Sequence, residues 1–200
     1  QNSKSKRNMD YKKIAENVDI TPFESIEILG GEPLFIPSAK KFFDYITSKG
    51  KKVSLLTNGT LINKKWAEKI ALHSDFINIS LNAATKQTHE FINRGSRWES
   101  VLNNIQKLHN AREVLKTNLH IYGHMTIVRQ NLMEISMFIE RFRDFGFDTI
   151  EFGFDFRVPF YLKLHPKKKR IIRLNVKEAL EKCKDNSLVD TLRLQKLGIA

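Results

Sequence analysis

Four consecutive residues, Gly30-Gly31-Glu32-Pro33, have the properties of a ligand-binding turn. Two adjacent glycines lack Cβ atoms and leave the backbone open to close approach by a ligand. The Glu32 carboxylate lies beside these exposed carbonyls and suits a ligand ammonium group, while Pro33 stiffens the chain that follows. The sequence therefore predicts a site for a positively charged group, although the tetrapeptide alone is also compatible with a plain turn.

Polar side chains recur with a period of two in several apolar runs. Because side chains alternate along a strand, Ser80 and Asn82 are expected on one face, where a hydroxyl and an amide can bond ligand oxygens. His120 and His124 share a face of another strand, about 13 Å apart at ~3.3 Å per residue, too far to share a metal ion. We interpret these histidines as substrate contacts or as hydrogen-bonded interior side chains.

The remaining candidates are charged residues near the end of the last strand and one cysteine. If the strand alternation continues to residue 157, then Glu151, Asp155 and Arg157 share a face, where they could contact a ligand or pair with one another. Cys183 is the only cysteine in the chain. A single cysteine excludes an internal disulfide, is typical of a reducing cytoplasm, and cannot form a thiolate zinc or iron–sulfur site alone.

Apolar runs alternate with longer helical patterns, and these elements must position the candidate residues. The expected strands are Ser25–Leu29, Val53–Thr57, Phe76–Leu81, Asn118–Val128 and Thr149–Phe154. The expected helices are at about 10–17, 36–48, 63–73, 98–113, 131–145 and 175–184. Asn63 and Asn131 occupy N-cap positions, and Gly50 and Gly146 follow helix ends. This alternation predicts an α/β fold with a parallel sheet and right-handed crossovers.

One face of most expected strands is polar, as where Ile77 and Ile79 alternate with Asn78 and Ser80. Parallel strands covered on both faces are nearly continuous apolar runs, and closed eight-stranded barrels are filled by Val, Ile and Leu. We therefore predict an incomplete TIM-type barrel of parallel strands, with outer helices and a wet concave cleft. An open sheet with one solvated face is the alternative.

The net charge of +12 is concentrated near the two ends of the chain. Residues 1–13 carry five bases and one acid, and residues 163–184 carry nine bases and two acids. The intervening 14–162 is nearly neutral, with eighteen bases and seventeen acids. The run Lys167-Lys168-Lys169-Arg170 could bind phosphate, but such runs are more often a solvated helix start, so nucleic-acid binding is not favoured.

The 200 residues, with 41% hydrophobic and 28% charged side chains, are typical of one globular domain. No run approaches the ~18 apolar residues of a membrane span, and the basic start lacks the apolar core of a secretory signal. We expect a cytoplasmic protein. We divide it into a basic segment with a short helix (1–19), a barrel core (20–160) and a basic helical segment (161–200).

These motifs together resemble the core of radical S-adenosylmethionine (radical SAM) enzymes. The matching segments are Ile26–Leu34 (second strand, with Gly-Gly-Glu-Pro), Val53–Thr60 (third, with Thr-Asn-Gly), Phe76–Ala84 (fourth), Thr85–Gly95 (the segment after it) and Val128–Ile135 (fifth). Residues Thr191–Gly198 resemble the segment that leads into the cysteine-rich extension of the SPASM branch. The resemblance covers about residues 20–157 well and the rest loosely.

The resemblance implies S-adenosylmethionine as a cofactor. Gly30, Gly31, Glu32 and Pro33 would hold its amino group, Thr57 and Asn58 would lie near its methionyl part, and Ser80 and Asn82 would bond its ribose or carboxylate. Family members often carry an acidic residue at the position of Asn82, so affinity or orientation could differ here. The candidate substrate contacts are His120, His124, Asp155 and Arg157.

The resemblance also implies a 4Fe–4S cluster on three cysteines, spaced C-x3-C-x2-C after a first strand, which this chain lacks. We expect a chain cut before that motif, missing the first strand and inactive alone, with the cluster in the full-length protein only. There, with an external electron donor, a 5′-deoxyadenosyl radical would abstract hydrogen from a polar substrate such as a peptide or protein. The alternative is a degenerate, non-catalytic nucleotide- or RNA-binding module of the same fold.

Overall fold

Five parallel strands form one sheet in the order β1-β2-β3-β4-β5. The computed structural model describes residues 10–200, so most of the basic segment expected at 1–13 lies outside the described residues. The strands are β1 (Ser25–Ile28), β2 (Lys52–Thr57), β3 (Phe76–Ser80), β4 (His120–Ile127) and β5 (Thr149–Phe154). Each neighbouring pair is parallel. The predicted parallel sheet and α/β class are therefore confirmed, with strand ends within two residues of those expected.

Helices connect the strands and flank the sheet. They are α1 (Tyr11–Asn17), α2 (Pro37–Ser48), α3 (Lys64–His73), α4 (Lys86–Ile92), α5 (Trp98–Leu115), α6 (Ile135–Arg141), α7 (Val158–Leu164), α8 (Pro166–Lys182) and α9 (Leu192–Leu197). The sequence did not predict α4, α7 or α9. Helix α8 begins at Pro166 rather than near residue 175, because a proline at its first position starts it earlier. No helix within residues 10–200 is long and apolar enough to cross a membrane.

Two predicted helix caps have different outcomes. Asn63 caps α3, since its side-chain oxygen accepts a hydrogen bond from Trp66 N at 3.0 Å. Asn131 is at the expected N-cap position, but of a 3₁₀ turn, Leu132–Glu134, that precedes α6, and its side chain makes no capping bond. Its amide instead accepts from Val128 N at 2.8 Å and donates to the carbonyl of Asn82 at 2.9 Å. A long-range contact thus replaces the local cap.

The apolar face of the sheet and the helices packed on it form the hydrophobic core. Ile77 and Ile79 of β3 and Ile121 of β4 are fully buried. Such side chains each contribute about 1.5–3 kcal/mol when removed from water. The opposite face carries half-buried polar side chains: Asn78, Ser80, Tyr122, His124, Thr126 and Glu151. The predicted alternation of polar and apolar faces is therefore present in the folded sheet.

The two edges of the sheet differ. At the β5 edge, Val189 forms an isolated parallel bridge with Ile150, and Asp190 N donates to the Ile150 carbonyl at 2.9 Å. The segment after α8 thereby occupies the position of a sixth strand for one residue. At the other edge, β1 has no second strand partner within residues 10–200. The sheet is therefore open among the described residues.

Candidate functional site

The carboxyl ends of β1, β2 and β3 lie side by side at one end of the sheet, because parallel strands all point the same way. A cleft of about 790 Å³ opens at these carboxyl ends. Asn58, directly after β2, and Ser80, the last residue of β3, both line it. Its other walls include Phe35, Thr60, His89, Asn93, Arg94 and Ser96. The fold therefore brings together two of the predicted cofactor-binding residues, 22 positions apart in the chain.

The glycine turn follows the carboxyl end of β1, at the same end of the sheet, and its backbone is accessible. Gly30 has φ +96° and Gly31 φ +60°, both in the left-handed region that favours glycine. Both residues are exposed, and no atom lies within 4 Å of the place a Cβ of Gly30 would occupy. Pro33, which follows, is buried. A ligand can therefore approach the backbone of this turn directly.

The Glu32 carboxylate connects this turn to the end of β2. Its Oε1 accepts hydrogen bonds from the Thr57 hydroxyl at 2.7 Å and from Leu34 N at 3.2 Å. Its Oε2 accepts from Asn58 N at 2.8 Å. The Thr57 hydroxyl is buried and also accepts from Gly59 N at 3.1 Å. Thr57 thus holds Glu32 in place, and Oε2 of Glu32 keeps capacity to accept a further hydrogen bond.

Asn82 connects the end of β3 to β4. It has a positive φ of 51°, which asparagine tolerates better than most residues. Its side-chain oxygen accepts from Thr126 N at 2.8 Å, and its amide nitrogen donates to Asn93 Oδ1 at 3.3 Å. The polar atoms of Asn82 therefore serve mainly to hold the strand ends together. Its predicted contact with a cofactor stays a prediction.

Two residues that sequence reasoning missed fix the loop between β3 and α5. His89 is 1% exposed, and its Nδ1 lies 2.8 Å from the carbonyl oxygen of Leu81, so Nδ1 carries the proton. Nε2 then accepts from the Ser96 hydroxyl at 2.8 Å, which holds one wall of the cleft. Glu134 accepts from Ala84 N and from the Thr85 hydroxyl, each at 2.7 Å. The partners of Glu134 are 50 and 49 positions away, and those of His89 are eight and seven positions away. The period of a strand or helix indicates none of these contacts.

His124 and Glu151 form a pair on the polar face, next to the cleft. The strand register places Ser80 opposite His124, and His124 opposite Glu151. His124 Nδ1 lies 2.9 Å from Glu151 Oε1, which also accepts from Asn78 Nδ2 at 2.7 Å. The hydrogen bond from His124, followed by that from Asn78, lowers the pKa of the Glu151 carboxyl group. Glu151 thus orients His124, which lies on the strand next to the cleft residue Ser80.

His120 lies at the other end of β4 and far from the cleft. Its Nε2 is 2.7 Å from the Thr149 hydroxyl, and its ring centroid is 4.5 Å from that of Tyr122. These contacts match the interpretation of a hydrogen-bonded interior histidine. The structure does not bring His120 together with the glycine turn.

Asp155 and Arg157 pair with each other, as one of the two sequence interpretations predicted. The Arg157 guanidinium donates to Asp155 at 2.8 and 2.9 Å, and this bonding lowers the pKa of Asp155 to about 2. The expectation that both continue the strand face of Glu151 is wrong, because β5 ends at Phe154. Arg157 N donates to the Asp155 carboxylate at 2.9 Å, which turns the chain into α7.

The described residues do not fit an iron–sulfur cluster. Cys183 follows α8 and is half-buried beside Asp185, away from the strand ends. Within residues 10–200, no group of three or more His, Cys, Asp or Glu side chains could hold a metal ion. A thiolate-bound cluster needs ligands that this chain does not contain.

Comparison with known proteins identifies the family. The family model of the radical SAM superfamily matches residues 1–138, more than half of the chain. The chain belongs to the radical SAM superfamily. The glycine turn and the cleft lie within the part of the chain that this match covers.

Two curated proteins are among those with sequence similarity to this chain. The antilisterial bacteriocin subtilosin biosynthesis protein AlbA of Bacillus subtilis is 28% identical over 139 residues, covering 68% of this chain and 30% of AlbA. The AdoMet-dependent heme synthase of Methanosarcina barkeri is 31% identical over 119 residues, covering 58% of this chain and 32% of the synthase. The chain therefore spans about a third of the length of these relatives.

Solved structures share the fold. Streptococcus suis SuiB, bound to precursor peptide SuiA, matches with a TM-score of 0.55 and 16% identity. The match covers 77% of this chain and 36% of SuiB. The predicted α/β architecture, an incomplete TIM-type barrel of parallel strands, is confirmed by the single five-stranded sheet and this likeness.

Proposed function

We propose that this radical SAM chain binds S-adenosylmethionine in the cleft at the carboxyl ends of β1, β2 and β3. The observation that carries the proposal is the hydrogen bond from Asn58 N to Glu32 of the glycine turn, which joins that turn to a cleft lined by Asn58 and Ser80. A cleft of about 790 Å³ is in the range that small-molecule sites occupy. Membership of the superfamily supports this choice of ligand.

Each predicted cofactor-binding residue has a distinct part in this proposal. The carbonyls of Gly30 and Gly31, stiffened by Pro33, would accept hydrogen bonds from the ammonium group of the cofactor, and Glu32 would supply a compensating negative charge. Thr57 would hold Glu32, while Asn58, Ser80 and Asn82 would offer polar groups to the carboxylate and ribose. When bound, S-adenosylmethionine would supply the 5′-deoxyadenosyl group for hydrogen abstraction from a substrate.

The chain would act as the core of a longer enzyme with a polar, peptide or protein substrate. The names of AlbA and of the SuiB complex, which refer to a bacteriocin and a precursor peptide, support a peptide substrate and an affiliation with the SPASM branch. Of the candidate substrate contacts, His124 lies nearest the cleft in strand register. A 4Fe–4S cluster, reduced by an external electron donor, would need cysteine ligands that these 200 residues do not supply.

Calorimetric titration of the 200-residue chain with S-adenosylmethionine tests the proposal without any cluster. Ser80→Ala should weaken binding about three- to tenfold, as expected for one lost hydrogen bond. Gly30→Val should weaken it by more than about tenfold, because a β-branched residue disfavours positive φ and its side chain would occupy space that the ligand needs beside the backbone. Ser54→Ala in β2 is the matched control and should leave the affinity unchanged.

Thermal unfolding of each variant separates a binding defect from a folding defect. Absence of saturable binding, or equal weakening by Ser54→Ala, would reject the proposed site. In the full-length protein after anaerobic cluster reconstitution, formation of 5′-deoxyadenosine would support the enzymatic function. Binding without that product would favour a non-catalytic nucleotide-binding module.

A further inference from the structure

A second groove lies at the carboxyl ends of β4 and β5, next to the residues that begin α7. It has a volume of about 490 Å³. We call it the cationic groove and define it by Arg129, Phe160, Tyr161, Leu164 and His165, which line it with Val128, Gln130, Asp155, Arg157 and Val158. None of these residues belongs to the S-adenosylmethionine cleft.

Unneutralised positive charge surrounds Tyr161 at the centre of this groove. The Arg129 guanidinium lies 4.5 Å from the Tyr161 ring centroid, and the His165 ring stacks on Tyr161 at 4.1 Å. Lys168 Nζ is 5.6 Å from the same ring and donates to the Tyr161 hydroxyl at 3.3 Å. Within residues 10–200, no carboxylate forms a salt bridge with Arg129 or Lys168. Both cations can therefore bind an anionic group.

The stretch that follows Asp155 carries charge of one sign only, and Asp155 itself, which lines the groove, is paired with Arg157. Residues 156–177 contain eight lysines and arginines and no aspartate or glutamate. No acidic residue lies in the first turn of α8, although lysines at 167–169 face the positive end of the helix dipole there. Lys169 is directed elsewhere, because its Nζ lies 2.8 Å from the place a Cβ of Gly198 would occupy. A partner with negative charges would reduce the remaining repulsion.

The same stretch exposes large apolar side chains. Their exposed fractions are 83% for Phe156, 65% for Phe160, 60% for Leu164, 50% for Ile171 and 57% for Leu174. Clusters of this kind mark binding surfaces more often than plain solvent-exposed surface. Aromatic rings can stack on nucleic-acid bases, whereas the three aliphatic side chains cannot and instead suit apolar residues of a peptide.

We propose that the cationic groove docks an acidic segment of a peptide, whose carboxylates contact Arg129 and Lys168 and whose apolar residues contact Phe160 and Leu164. Strand β5 is two strands from β3, roughly 10 Å at the usual spacing, which an extended chain crosses in about three residues. A docked peptide would therefore reach the cleft. That this peptide is the substrate rests on the proposed function, whereas docking itself does not.

Fluorescence anisotropy with a labelled peptide of glutamate and leucine tests the docking, with a peptide of glutamine and leucine as its neutral match. The chain should bind the acidic peptide saturably and the neutral one much more weakly. Arg129→Gln combined with Lys168→Gln should weaken binding by roughly tenfold or more. Lys64→Gln combined with Lys65→Gln, exposed at the start of α3, removes the same charge and should change binding by less than about twofold.

Leu164→Ser should weaken binding several-fold without a change of charge, and thermal unfolding checks that each variant remains folded. Equal loss in the α3 control, or no binding at low salt, would overturn the proposal. So would tighter, groove-dependent binding of single-stranded RNA or of phosphatidylserine vesicles. The peptide assay contains no S-adenosylmethionine. If the chain binds S-adenosylmethionine in calorimetry but does not bind the acidic peptide, only the docking groove is rejected. Conversely, groove-dependent peptide binding without any affinity for S-adenosylmethionine rejects only the proposed function.

Discussion

Glu32 and Thr57, which are 25 residues apart in the chain, are joined by a hydrogen bond of 2.7 Å from the threonine hydroxyl to the carboxylate Oε1. The second carboxylate oxygen accepts from Asn58 N at 2.8 Å. One side chain thus fixes the glycine turn after β1 against the end of β2. The same side chain would also supply the negative charge that the proposed ammonium group needs.

Glu32→Gln should therefore lower both stability and ligand affinity. A glutamine keeps one acceptor, but its amide nitrogen would face either the buried Thr57 hydroxyl or the exposed Asn58 N, and one of these donors would lose its partner. We expect a loss of about 1–3 kcal/mol in the free energy of unfolding, measured with urea. The affinity for S-adenosylmethionine should fall further than in Ser80→Ala. Glu27→Gln on the exposed side of β1 is the control, and an equal effect there would contradict this role.

A second network attaches the end of α5 to the start of β4. Arg112 donates to Asp148 Oδ2 at 2.6 Å and to the Leu119 carbonyl at 2.9 Å, and Asp148 also accepts from Ile121 N at 2.8 Å. Asp148→Asn should cost about 1–3 kcal/mol in the free energy of unfolding, since it disrupts several charge-assisted bonds at once.

The matched control for this network is the exposed pair Arg141–Asp144, whose atoms are 3.6 Å apart. Asp144→Asn should change the free energy of unfolding by less than about 0.5 kcal/mol, because exposed ion pairs contribute little. A loss equal to that of Asp148→Asn would show that general charge, and not the network, controls stability.

The fold could be predicted because apolar and polar residues alternate along the strands with a period of two, as expected for one buried face and one polar face. Ile77 and Ile79 alternate with Asn78 and Ser80, and the structure buries the first pair and leaves the second half-buried. The same pattern indicated Ser80, and the resemblance to the Thr-Asn-Gly segment of the family indicated Asn58; both line the cleft. The six- and seven-residue helices α4, α7 and α9 escaped prediction, because so few residues show no clear helical period.

The pairing of polar side chains across the fold could not be predicted. Asn131 has the sequence context of a helix cap, yet its amide bonds the carbonyl of Asn82, 49 residues away. Glu134 accepts from Thr85 over a similar separation, and His89 joins Leu81 to Ser96. Each contact depends on how strand ends assemble in space. Local propensity contains no information about that arrangement.

Gly123 allows Phe147 to pack against β4. A Cβ at this position would lie 2.4 Å from Phe147 Cδ2, well inside contact distance, and both residues are buried. Gly123→Ala should therefore cost about 1–3 kcal/mol in the free energy of unfolding through overpacking. Phe147→Leu in the same background should recover part of that loss in a double-mutant cycle. A cycle without any coupling would contradict this explanation.

The His124–Glu151 pair should make stability depend on pH in the acid range. Its hydrogen bonds lower the folded-state pKa of Glu151 below the ordinary value of 4.5. The resulting stabilisation is present above pH 4.5 and is lost as the pH falls through the lower folded-state pKa, because the unfolded chain binds the proton first. Glu151→Gln should flatten the acid limb of a urea-unfolding series, and His124→Gln should flatten it partly, since it removes the largest cause of the shift. Glu113→Gln, on the exposed side of α5, should leave the limb unchanged, and an unchanged limb in Glu151→Gln would refute the assignment.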